Sequence, residues 1–188
     1  NRLMTYDSIY YDTKSLNFYL DHHNKIRNRI KIRKRNYVES DISFLEIKQK
    51  NNKGVTVKTR IPTERFTSDL SENALSFVKD VTTRKMDLQH SISNRFNRLT
   101  LVSTANKERV TIDFNLSYNG KEFNEKLAIV ELKQEKLNRR SKMFQELKSI
   151  GVNPFSISKY CIGMATTHPE LKQNYFKHKI LTISKKTA

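Results

Sequence analysis

The sequence predicts an α+β fold in which an antiparallel sheet closes into a barrel with helices packed outside it. Three observations lead to this prediction. Apolar and polar residues alternate in several stretches, which is typical of half-buried strands. Helical patterns lie between and after these stretches. The polar faces of successive strands are strongly basic, which favours a sheet that curls around an anion. With 188 residues the chain suits one domain, covering residues 1–188.

The composition is basic, with 36 Lys and Arg against 19 Asp and Glu and a formal net charge of +17. Such a surplus indicates a polyanionic partner: nucleic acid, an anionic membrane surface or a phosphate-rich small molecule. The one cysteine, Cys161, excludes an internal disulfide and favours a reducing compartment, so we expect a cytoplasmic protein. No apolar run approaches the roughly 20 residues of a membrane span, so no transmembrane segment is predicted.

Six stretches alternate in the manner of strands, and the most basic of them is RNRIKIRKRN at 27–36. Its cations fall on alternate positions, with Ile30 and Ile32 between them. The other stretches repeat the pattern, with apolar residues on one face and polar residues on the other. They are FLEIKQK at 44–50, VTVKTRI at 55–61, ISNRFNRLTLV at 92–102, RVTIDFNL at 109–116 and LAIVELK at 127–133.

Two helices are predicted between these strands. Thr13 is placed to cap a helix over residues 14–23, KSLNFYLDHH. Ser71 is placed to cap a second helix over residues 72–78, ENALSFV. Both caps supply a side-chain oxygen for the N–H groups of the first helical turn, which have no partner within the helix.

A third helix is predicted after the last strand, over residues 136–151, with Gly151 placed to end it. For residues 177–188 at the C-terminus, the pattern predicts no more than a short strand or a frayed end. The third helix should pack through an apolar stripe that consists of Leu137, Phe144, Leu147 and Ile150.

The polar faces of the first three predicted strands carry almost one sign of charge. Like charges directly opposite each other destabilise a sheet by about as much as opposite charges stabilise it, roughly 0.2–1 kcal/mol per pair. On a single strand such a run is ordinarily a solvated outer face. Across three strands, a barrel whose bore holds water and a polyphosphate explains it better. The cations are Arg27, Arg29, Lys31, Arg33, Arg35, Lys48, Lys50, Lys58 and Arg60, with only Glu46 in opposition.

Glu46 and Glu131 lie on these polar faces and need an explanation of their own among cations and phosphates. A divalent metal that bridges a carboxylate and phosphate oxygens would supply one. The alternative is a structural ion pair with a neighbouring lysine or arginine. The residues alone leave both interpretations open.

Eight motifs follow one another along the chain: SIYYDT at 8–13, KIRKRNY at 31–37, FLEIKQK at 44–50, VKTRIP at 57–62, FNRLTL at 96–101, RVTIDFNL at 109–116, AIVELKQE at 128–135 and PFSISKYCIGMA at 154–165. Each motif alone is weakly specific, whereas eight in one order are strongly so. In this order the chain resembles the polyphosphate polymerase domain of the vacuolar transporter chaperone (VTC) family, within the CYTH-like triphosphate tunnel metalloenzyme superfamily.

The resemblance implies a tunnel of antiparallel strands, a divalent metal (Mn²⁺ or Mg²⁺) and transfer of the ATP γ-phosphate to a growing polyphosphate chain. ATP and inorganic polyphosphate are therefore the expected partners, and the oligomeric state is left open. The residues that match the family's catalytic tunnel positions are Arg33, Arg35, Lys48, Lys58, Arg98, Arg109 and Lys159.

The resemblance also assigns Arg60 and Lys133 to substrate binding, and it matches Glu131 to the carboxylate associated with the metal. Strand alternation, rather than the resemblance, adds three more candidates. These are Lys31 and Lys50 for substrate binding and Glu46 for the metal.

The chain departs from the family pattern at its start. Family members normally begin with a further strand and helix that carry an E-R-K-like cluster, and no such segment precedes SIYYDT. We therefore expect a barrel that lacks its first strand. The phosphate-sensing domain and membrane helices of eukaryotic relatives are not found either, which favours the stand-alone, bacterial-type version.

Two alternatives to a polymerase remain open. A hydrolase on the same tunnel would transfer the phosphoryl group of a triphosphate to water. A non-enzymatic module would bind polyphosphate or nucleic acid. No specific nucleic acid partner is expected, because the cation-bearing faces hold few aromatic residues on which bases could stack. Tyr6, Tyr10 and Tyr11 are expected to be wall and core residues.

Overall fold

The computed structural model describes residues 2–64, 66–104 and 106–187. Within these residues the chain forms eight β-strands and five α-helices. The strands are β1 (Arg2–Thr13), β2 (Arg29–Tyr37), β3 (Ile42–Lys50), β4 (Thr56–Thr63), β5 (Leu88–Ser103), β6 (Glu108–Tyr118), β7 (Lys121–Glu122) and β8 (Ile129–Gln134). The helices are α1 (Asn17–His23), α2 (Glu72–Thr82), α3 (Lys142–Ser149), α4 (Lys159–Thr167) and α5 (Asn174–Thr187).

The strands form one antiparallel sheet in the order β4-β3-β2-β1-β5-β6-β7. Strand β8 pairs with a different part of β6 from the part that pairs with β7. Because β1 pairs with both β2 and β5, it lies in the middle of the sheet. The predicted α+β class is confirmed, and closure of the sheet into a barrel stays a prediction. None of the helices in the described part of the chain has the length and hydrophobicity that a transmembrane segment requires.

One face of the sheet is apolar where β1, β2 and β3 run side by side. Ile32 and Ile47 face each other across β2 and β3, and both are buried together with Leu45. Ala74 and Val78 of α2 pack against these residues. The alternation that the sequence predicted for β2 and β3 is therefore confirmed, and it sends their charged residues other than Lys34 to the opposite face.

The opposite face, which carries the cations, is covered in part by α4 and α5. Tyr160 of α4 and Phe176 of α5 are buried in one apolar cluster with Tyr118 of β6. Gly163 permits the close approach of α4 to the sheet, because a Cβ at this position would collide with the ring of Tyr118. We expected the helices outside the barrel. Helix α2 does pack on the apolar face, whereas α4 and α5 pack on the cation-bearing face.

The starts of the first two helices test the predicted caps. Helix α1 begins at Asn17 rather than at residue 14, because Leu16 has a left-handed φ of 55° that a helix does not accept. The hydroxyl of Thr13 accepts a hydrogen bond from the N–H of Asn17 at 3.1 Å, close to its predicted role. The cap of α2 is confirmed, since Ser71 Oγ accepts from the N–H of Ala74 at 3.3 Å.

The third predicted helix is shorter than expected. Ser141 caps α3 by accepting a hydrogen bond from the N–H of Phe144, so residues 136–141 lie outside the helix. Leu137 and Ile150 are 73% and 72% exposed, and no residue of α3 is buried. The predicted buried stripe was therefore wrong, although a glycine with positive φ, Gly151, does follow the helix.

The C-terminal residues form a helix rather than the predicted strand or frayed end. Phe176 and Ile183 are seven positions apart, so they lie on one face of α5, and both are buried. The prediction failed because the surrounding lysines hide these two core contacts in the sequence. Ala188, the last residue of that predicted segment, lies outside the described residues.

Candidate active site: a basic cavity on the sheet

A cavity of about 780 Å³ lies on the cation-bearing face of the sheet. Its walls come from β1 to β6, β8, the segment before α4 and the first residue of α4. Three of the cations expected in the bore do not line it: Lys50, Arg29 at the start of β2, and Arg27, which precedes β2 and is exposed. All the other predicted site residues do line it: Lys31, Arg33, Arg35, Glu46, Lys48, Lys58, Arg60, Arg98, Arg109, Glu131, Lys133 and Lys159.

Strand register places cations directly beside one another. Lys48 of β3 lies opposite Lys31 of β2 on one side and Lys58 of β4 on the other. Across β6 and β8, Arg109 lies opposite Lys133. Like charges in these positions repel, so a bound anion between them would stabilise this strand register.

The first carboxylate of the cavity, Glu46, is held by two cations. It is fully buried, and its Oε2 accepts from Arg33 Nε at 2.7 Å and Nη2 at 2.5 Å. Lys58 Nζ forms an ion pair with Oε1. Burial would raise the pKa of Glu46, but the charge of Arg33 and the hydrogen bond from Lys58 lower it to about 2. Glu46 is therefore ionised at neutral pH, and this triad of Arg33, Glu46 and Lys58 carries one net positive charge.

A second triad repeats this arrangement on the other side of β1. Asp113 accepts from Arg98 Nε at 2.5 Å and from Nη2 at 2.7 Å. Lys159, the first residue of α4, forms an ion pair with the same carboxylate. Burial opposes ionisation of Asp113, but the hydrogen bond from Arg98 and the charge of Lys159 keep its pKa below the usual value. This triad of Arg98, Asp113 and Lys159 also carries one net positive charge.

Between the two triads, Arg35 is buried without a carboxylate. Its Nε donates to Ser8 Oγ at 3.1 Å. Its guanidinium carbon lies 5.3 Å from the ring centroid of Tyr6 and 5.4 Å from that of Phe96. Among the described residues it forms no ion pair. Burial and the nearby charge of Arg33 lower the pKa of Arg35 to about 10. A buried guanidinium of this kind calls for an external anion.

We call the part of the cavity that is built on β1 to β5 its floor. Two titratable groups of the floor, Tyr10 and Lys48, lie near Arg35. Tyr10 accepts a hydrogen bond from Arg33 Nη1 at 3.3 Å. Burial would raise the pKa of Tyr10, but Arg33 and Arg35 outweigh burial and lower it to about 8. Burial and the charge of Arg33 lower the pKa of Lys48, also to about 8. The positive potential of the floor is therefore strong enough to disfavour a further positive charge.

Asp113 had no predicted role from the sequence, and Tyr10 was expected to be a wall residue. Asp113 did carry a signal, because it alternates with Arg109 and Thr111 on the polar face of its predicted strand. Its partners could not be read from this pattern. Arg98 reaches it through the β5–β6 register, in which Arg98 lies directly opposite Asp113. Lys159 reaches it from a different kind of element, the first turn of α4.

The rim of the cavity at β8 differs from the floor. The side chains of Glu131 and Lys133 are 51% and 47% exposed, and their charged atoms are 3.4 Å apart. Glu131 lies opposite Thr111 of β6, whose buried Oγ1 has no hydrogen-bond partner among the described residues. This rim therefore offers one accessible carboxylate to a ligand, whereas the Thr111 hydroxyl is buried.

The carboxylates differ in how well they suit a divalent metal. In the described part of the chain, no three His, Cys, Asp or Glu side chains cluster closely enough to hold a metal on their own. Both oxygens of Glu46 are engaged by Arg33 and Lys58. Glu131 is open to the cavity, and one carboxylate combined with substrate phosphates is a common way to bind Mg²⁺. Glu131 is therefore better suited than Glu46 to the predicted metal role, and both assignments stay predictions.

Comparisons with solved structures support the tunnel fold. A proposed adenylate cyclase (bh2851) from Bacillus halodurans is 15% identical, with a TM-score of 0.56 over 83% of this chain and 79% of that one. The PH1819 protein from Pyrococcus horikoshii OT3 is 14% identical, with a TM-score of 0.50 over 88% and 86% of the two chains. The adenylyl cyclase homologue HpAC1 from Hippeastrum, described as having a dominant triphosphatase activity, has a TM-score of 0.49 at 13% identity over 88% and 84%.

At these identities the first two structures establish similarity of fold, namely the CYTH-like triphosphate tunnel fold, and nothing about activity. Comparison with curated protein sequences finds no match. The VTC domain family matches residues 1–168, which include every residue that lines the cavity. The chain therefore belongs to the VTC domain family.

Proposed function

We propose that this protein is an ATP-dependent polyphosphate polymerase that transfers the ATP γ-phosphate to an inorganic polyphosphate chain in the basic cavity. The observation that carries the proposal is the unpaired charge of the floor. Arg35 is buried without a carboxylate, and Lys31 and Lys48, which form no ion pair with a described residue, lie directly opposite each other on β2 and β3. Phosphate oxygens offset such charges through charge-assisted hydrogen bonds, and Arg forks match their geometry.

The aromatic residues of the floor argue for a phosphate chain over a nucleic acid. Single-stranded nucleic acids bind through exposed aromatic faces on which bases stack. Here Tyr6, Tyr10 and Phe96 are buried, and Arg35 and Arg98 lie over the rings of Tyr6 and Phe96. These three rings are therefore covered, and cations rather than their faces are presented to the ligand; among the described residues, the exposed ring of the cavity is Phe155, at its edge before α4.

In the proposed reaction the bond between the γ-phosphorus and the β–γ bridging oxygen breaks, and ADP leaves with the electron pair. A terminal oxygen of the polyphosphate chain forms the new bond to phosphorus, so the chain grows by one unit. Such a transfer needs positioning and charge neutralisation more than covalent help from the protein. The two triads supply guanidinium and ammonium groups in fixed positions, and Arg35 and Lys48 add charge that no described carboxylate pairs with.

The acid–base character of the cavity favours a phosphate acceptor over water. The acceptor phosphate is already ionised, so no proton has to be removed from it. Glu46 and Asp113 are poor bases, because their cation partners lower both pKa values. Among the described residues, no histidine lines the cavity. This balance favours a polymerase over a triphosphatase on the same fold.

Glu131 is the residue proposed to hold the divalent metal, together with phosphate oxygens of the substrate. When bound, Mn²⁺ or Mg²⁺ would neutralise charge on the transferred phosphoryl group. Lys133, opposite Arg109 in the neighbouring strand, is placed to contact the same phosphates.

The direct test is an incubation of the purified chain with ATP and Mn²⁺, with and without a short polyphosphate primer. Products are resolved on a gel for polyphosphate, and ADP and free phosphate are measured in parallel. We expect ADP together with long polyphosphate. ADP with free phosphate alone would replace the polymerase with a triphosphatase. Binding of polyphosphate without any turnover would reduce the protein to a binding module.

The metal assignment is tested with Glu131→Gln, and Glu135→Gln serves as its control. Glu135 is exposed, lies one residue beyond β8 and does not line the cavity. For Glu131→Gln we expect the Mn²⁺ concentration at half-maximal rate to rise by at least about tenfold, the scale on which metal-site changes act. The control should behave as the wild type. Unchanged Mn²⁺ dependence in Glu131→Gln would overturn the assignment.

A further inference from the structure

A second, smaller pocket of about 270 Å³ adjoins the main cavity. We call it the side pocket. It is formed by α1, by Lys25 shortly after this helix, by the start of β2, by residues 156–158, and by α4 and α5. Lys31, Ser156, Ile157 and Ser158 line both spaces. The side pocket and the main cavity therefore share one wall, and Lys31 borders both.

The side pocket is more uniformly basic than the main cavity. Lys25, Arg29, Lys31 and Lys179 line it, and no described carboxylate does. None of these four cations forms an ion pair with a described residue. The pocket thus lacks the internal neutralisation that Glu46 and Asp113 provide in the main cavity.

Neutral groups hold the two outer cations in place. Lys25 Nζ lies 4.8 Å from the ring centroid of Tyr175. Lys179 Nζ lies 5.4 Å from the same centroid and donates to the carbonyl oxygen of Ser156 at 2.5 Å. An aromatic face and a carbonyl oxygen position a cation but leave its net charge in place.

The inner cations are held in a similar way. Arg29 donates to the carbonyl oxygen of Ile26 at 2.9 Å, and Lys31 donates to Ser158 Oγ at 3.0 Å. His22 also lines the pocket. Burial and the charge of Lys31 lower its pKa to about 3, so it stays neutral and adds no charge of its own. The four cations therefore converge on the pocket with their charge uncompensated.

We infer that the side pocket binds the far units of an inorganic phosphate chain whose other end lies in the main cavity. Lys31 stands where the two spaces meet, so one continuous chain can contact both sets of cations. The inference rests on the proposed function only in requiring a phosphate chain in the main cavity. Helix α5, which supplies Tyr175 and Lys179, lies beyond the residues that the VTC family matches.

This arrangement makes affinity depend on chain length. A short chain such as tripolyphosphate occupies the main cavity alone. A long chain engages both spaces, and its second contact is intramolecular, so it binds more tightly without any change in the first contact. The side pocket would in this way retain the polymer between additions.

The experiment compares the dissociation constants of tripolyphosphate and long-chain polyphosphate by calorimetry at one fixed salt concentration. The test variant is Lys25→Gln/Lys179→Gln. The control is Lys177→Gln/Lys185→Gln, which removes the same charge from exposed positions of α5 that line neither space. We expect the preference for the long chain to fall by about tenfold in the test variant and to persist in the control. Tripolyphosphate affinity should change little in either.

An unchanged preference for the long chain in the test variant would overturn the inference. An equal fall of this preference in both variants would also overturn it, because that result indicates general charge attraction. Circular dichroism checks that both variants fold. Lys25→Gln alone, which alters an exposed side chain, should reproduce part of the loss. The assay reads binding only. A chain-length effect that depends on the side pocket, without polymer synthesis, would therefore reject the proposed function and support the side pocket. Polymer synthesis without such a chain-length effect would support the proposed function and reject the side pocket.

Discussion

The two triads and the stretch of floor between them differ in how their cations are compensated. In each triad a carboxylate, Glu46 or Asp113, forms ion pairs with two basic side chains. Arg35, which lies between the triads, and Lys48, which lies opposite Lys58 on β3, belong to no ion pair with a described residue. The two regions lie on the same face of one sheet and are built from neighbouring strands.

This difference separates stability from function within one cavity. A buried charge loses its hydration, and a hydrogen-bonded partner offsets part of that cost. Each triad therefore contains its own counter-charge, and the two triads hold four cations around the cavity whether or not a ligand is bound. Arg35 and Lys48 lose hydration without gaining a carboxylate partner, so an anionic ligand that binds them should stabilise the folded protein most. We expect substitutions in the two regions to have opposite effects on stability and similar effects on activity.

The largest effect is expected for Arg33→Ala. The substitution leaves the buried carboxylate of Glu46 with only Lys58, whose side chain is 39% exposed. Removing one partner of a buried ion pair costs about 3–5 kcal/mol, and the remaining partner places this case near the lower end. For a chain of this length that corresponds to a fall in Tm of roughly 6–12 °C. Polymer synthesis should fall on the order of 10³-fold, as when a transition-state arginine is lost.

Thermal unfolding and the product assay measure these two effects. Lys58→Ala is the matched control, because it removes the more exposed partner of the same carboxylate and should lower Tm less. A Tm for Arg33→Ala equal to that of the wild type would show that the triad does not stabilise the fold.

Arg35→Met should abolish binding at little cost to the fold. Methionine retains much of the apolar volume and removes a buried charge that has no carboxylate partner. We expect a Tm within about 3 °C of the wild type, or above it, since about 1 kcal/mol shifts Tm by roughly 2–4 °C. The stabilisation by added polyphosphate, about 2.7 kcal/mol at a concentration of 100 Kd, should disappear.

Arg35→Lys restores a positive charge without the guanidinium fork and should recover part of the ligand stabilisation. Unfolding is followed with and without polyphosphate for both variants. Wild-type stabilisation by polyphosphate in Arg35→Met would remove Arg35 from the binding site and break the distinction between the two regions.

The same distinction explains how much of the site the sequence could predict. Alternation on a strand assigns each side chain to a face, so the cations of β2, β3 and β4 could be placed in the cavity from the sequence. The alternation does not tell which side chains meet. The Arg33–Glu46 contact depends on the β2–β3 register, in which these residues are directly opposite. The Lys159–Asp113 contact depends on the docking of α4 against the sheet.

The C-terminal helices show the same limit for the fold. The apolar residues of α4 form one continuous run, residues 160–165, and those of α5 are interrupted by lysines and other polar residues, so neither helix shows a clear apolar stripe. Their position was predictable only through contacts such as that of Gly163 with Tyr118, which join residues 45 positions apart. The prediction for residues 137–150 failed in the opposite direction, because the evident apolar stripe there is exposed at Leu137 and Ile150 and only half-buried at Phe144 and Leu147.

The smallest expected effect is a dependence of ATP affinity on pH. It reports specifically on Lys48 and Tyr10 of the floor. The pKa values of Lys48 and Tyr10 in the folded protein are about 8, against ordinary values of 10.5 and 10.0. Between pH 8 and pH 10 the unfolded chain therefore holds more protons at these positions than the folded protein does. These two groups thus make the ligand-free protein more stable as pH rises through this window.

A bound anion reverses this preference, because it favours protonated Lys48 and disfavours ionised Tyr10. ATP binding near pH 8 should consequently take up protons, and its affinity should fall by roughly tenfold from pH 7.5 to pH 9. The second ionisation of a phosphate group, near pH 6, is nearly complete throughout this range. Calorimetry in chelator, in two buffers of different ionisation enthalpy, measures both quantities. Lys48→Arg keeps the charge but titrates far above this window, so it should reduce the proton uptake and flatten the profile. Equal affinity at both pH values in the wild type would mean that the floor does not contact the phosphates, and the separation of the cavity into stabilising and binding regions would then fail.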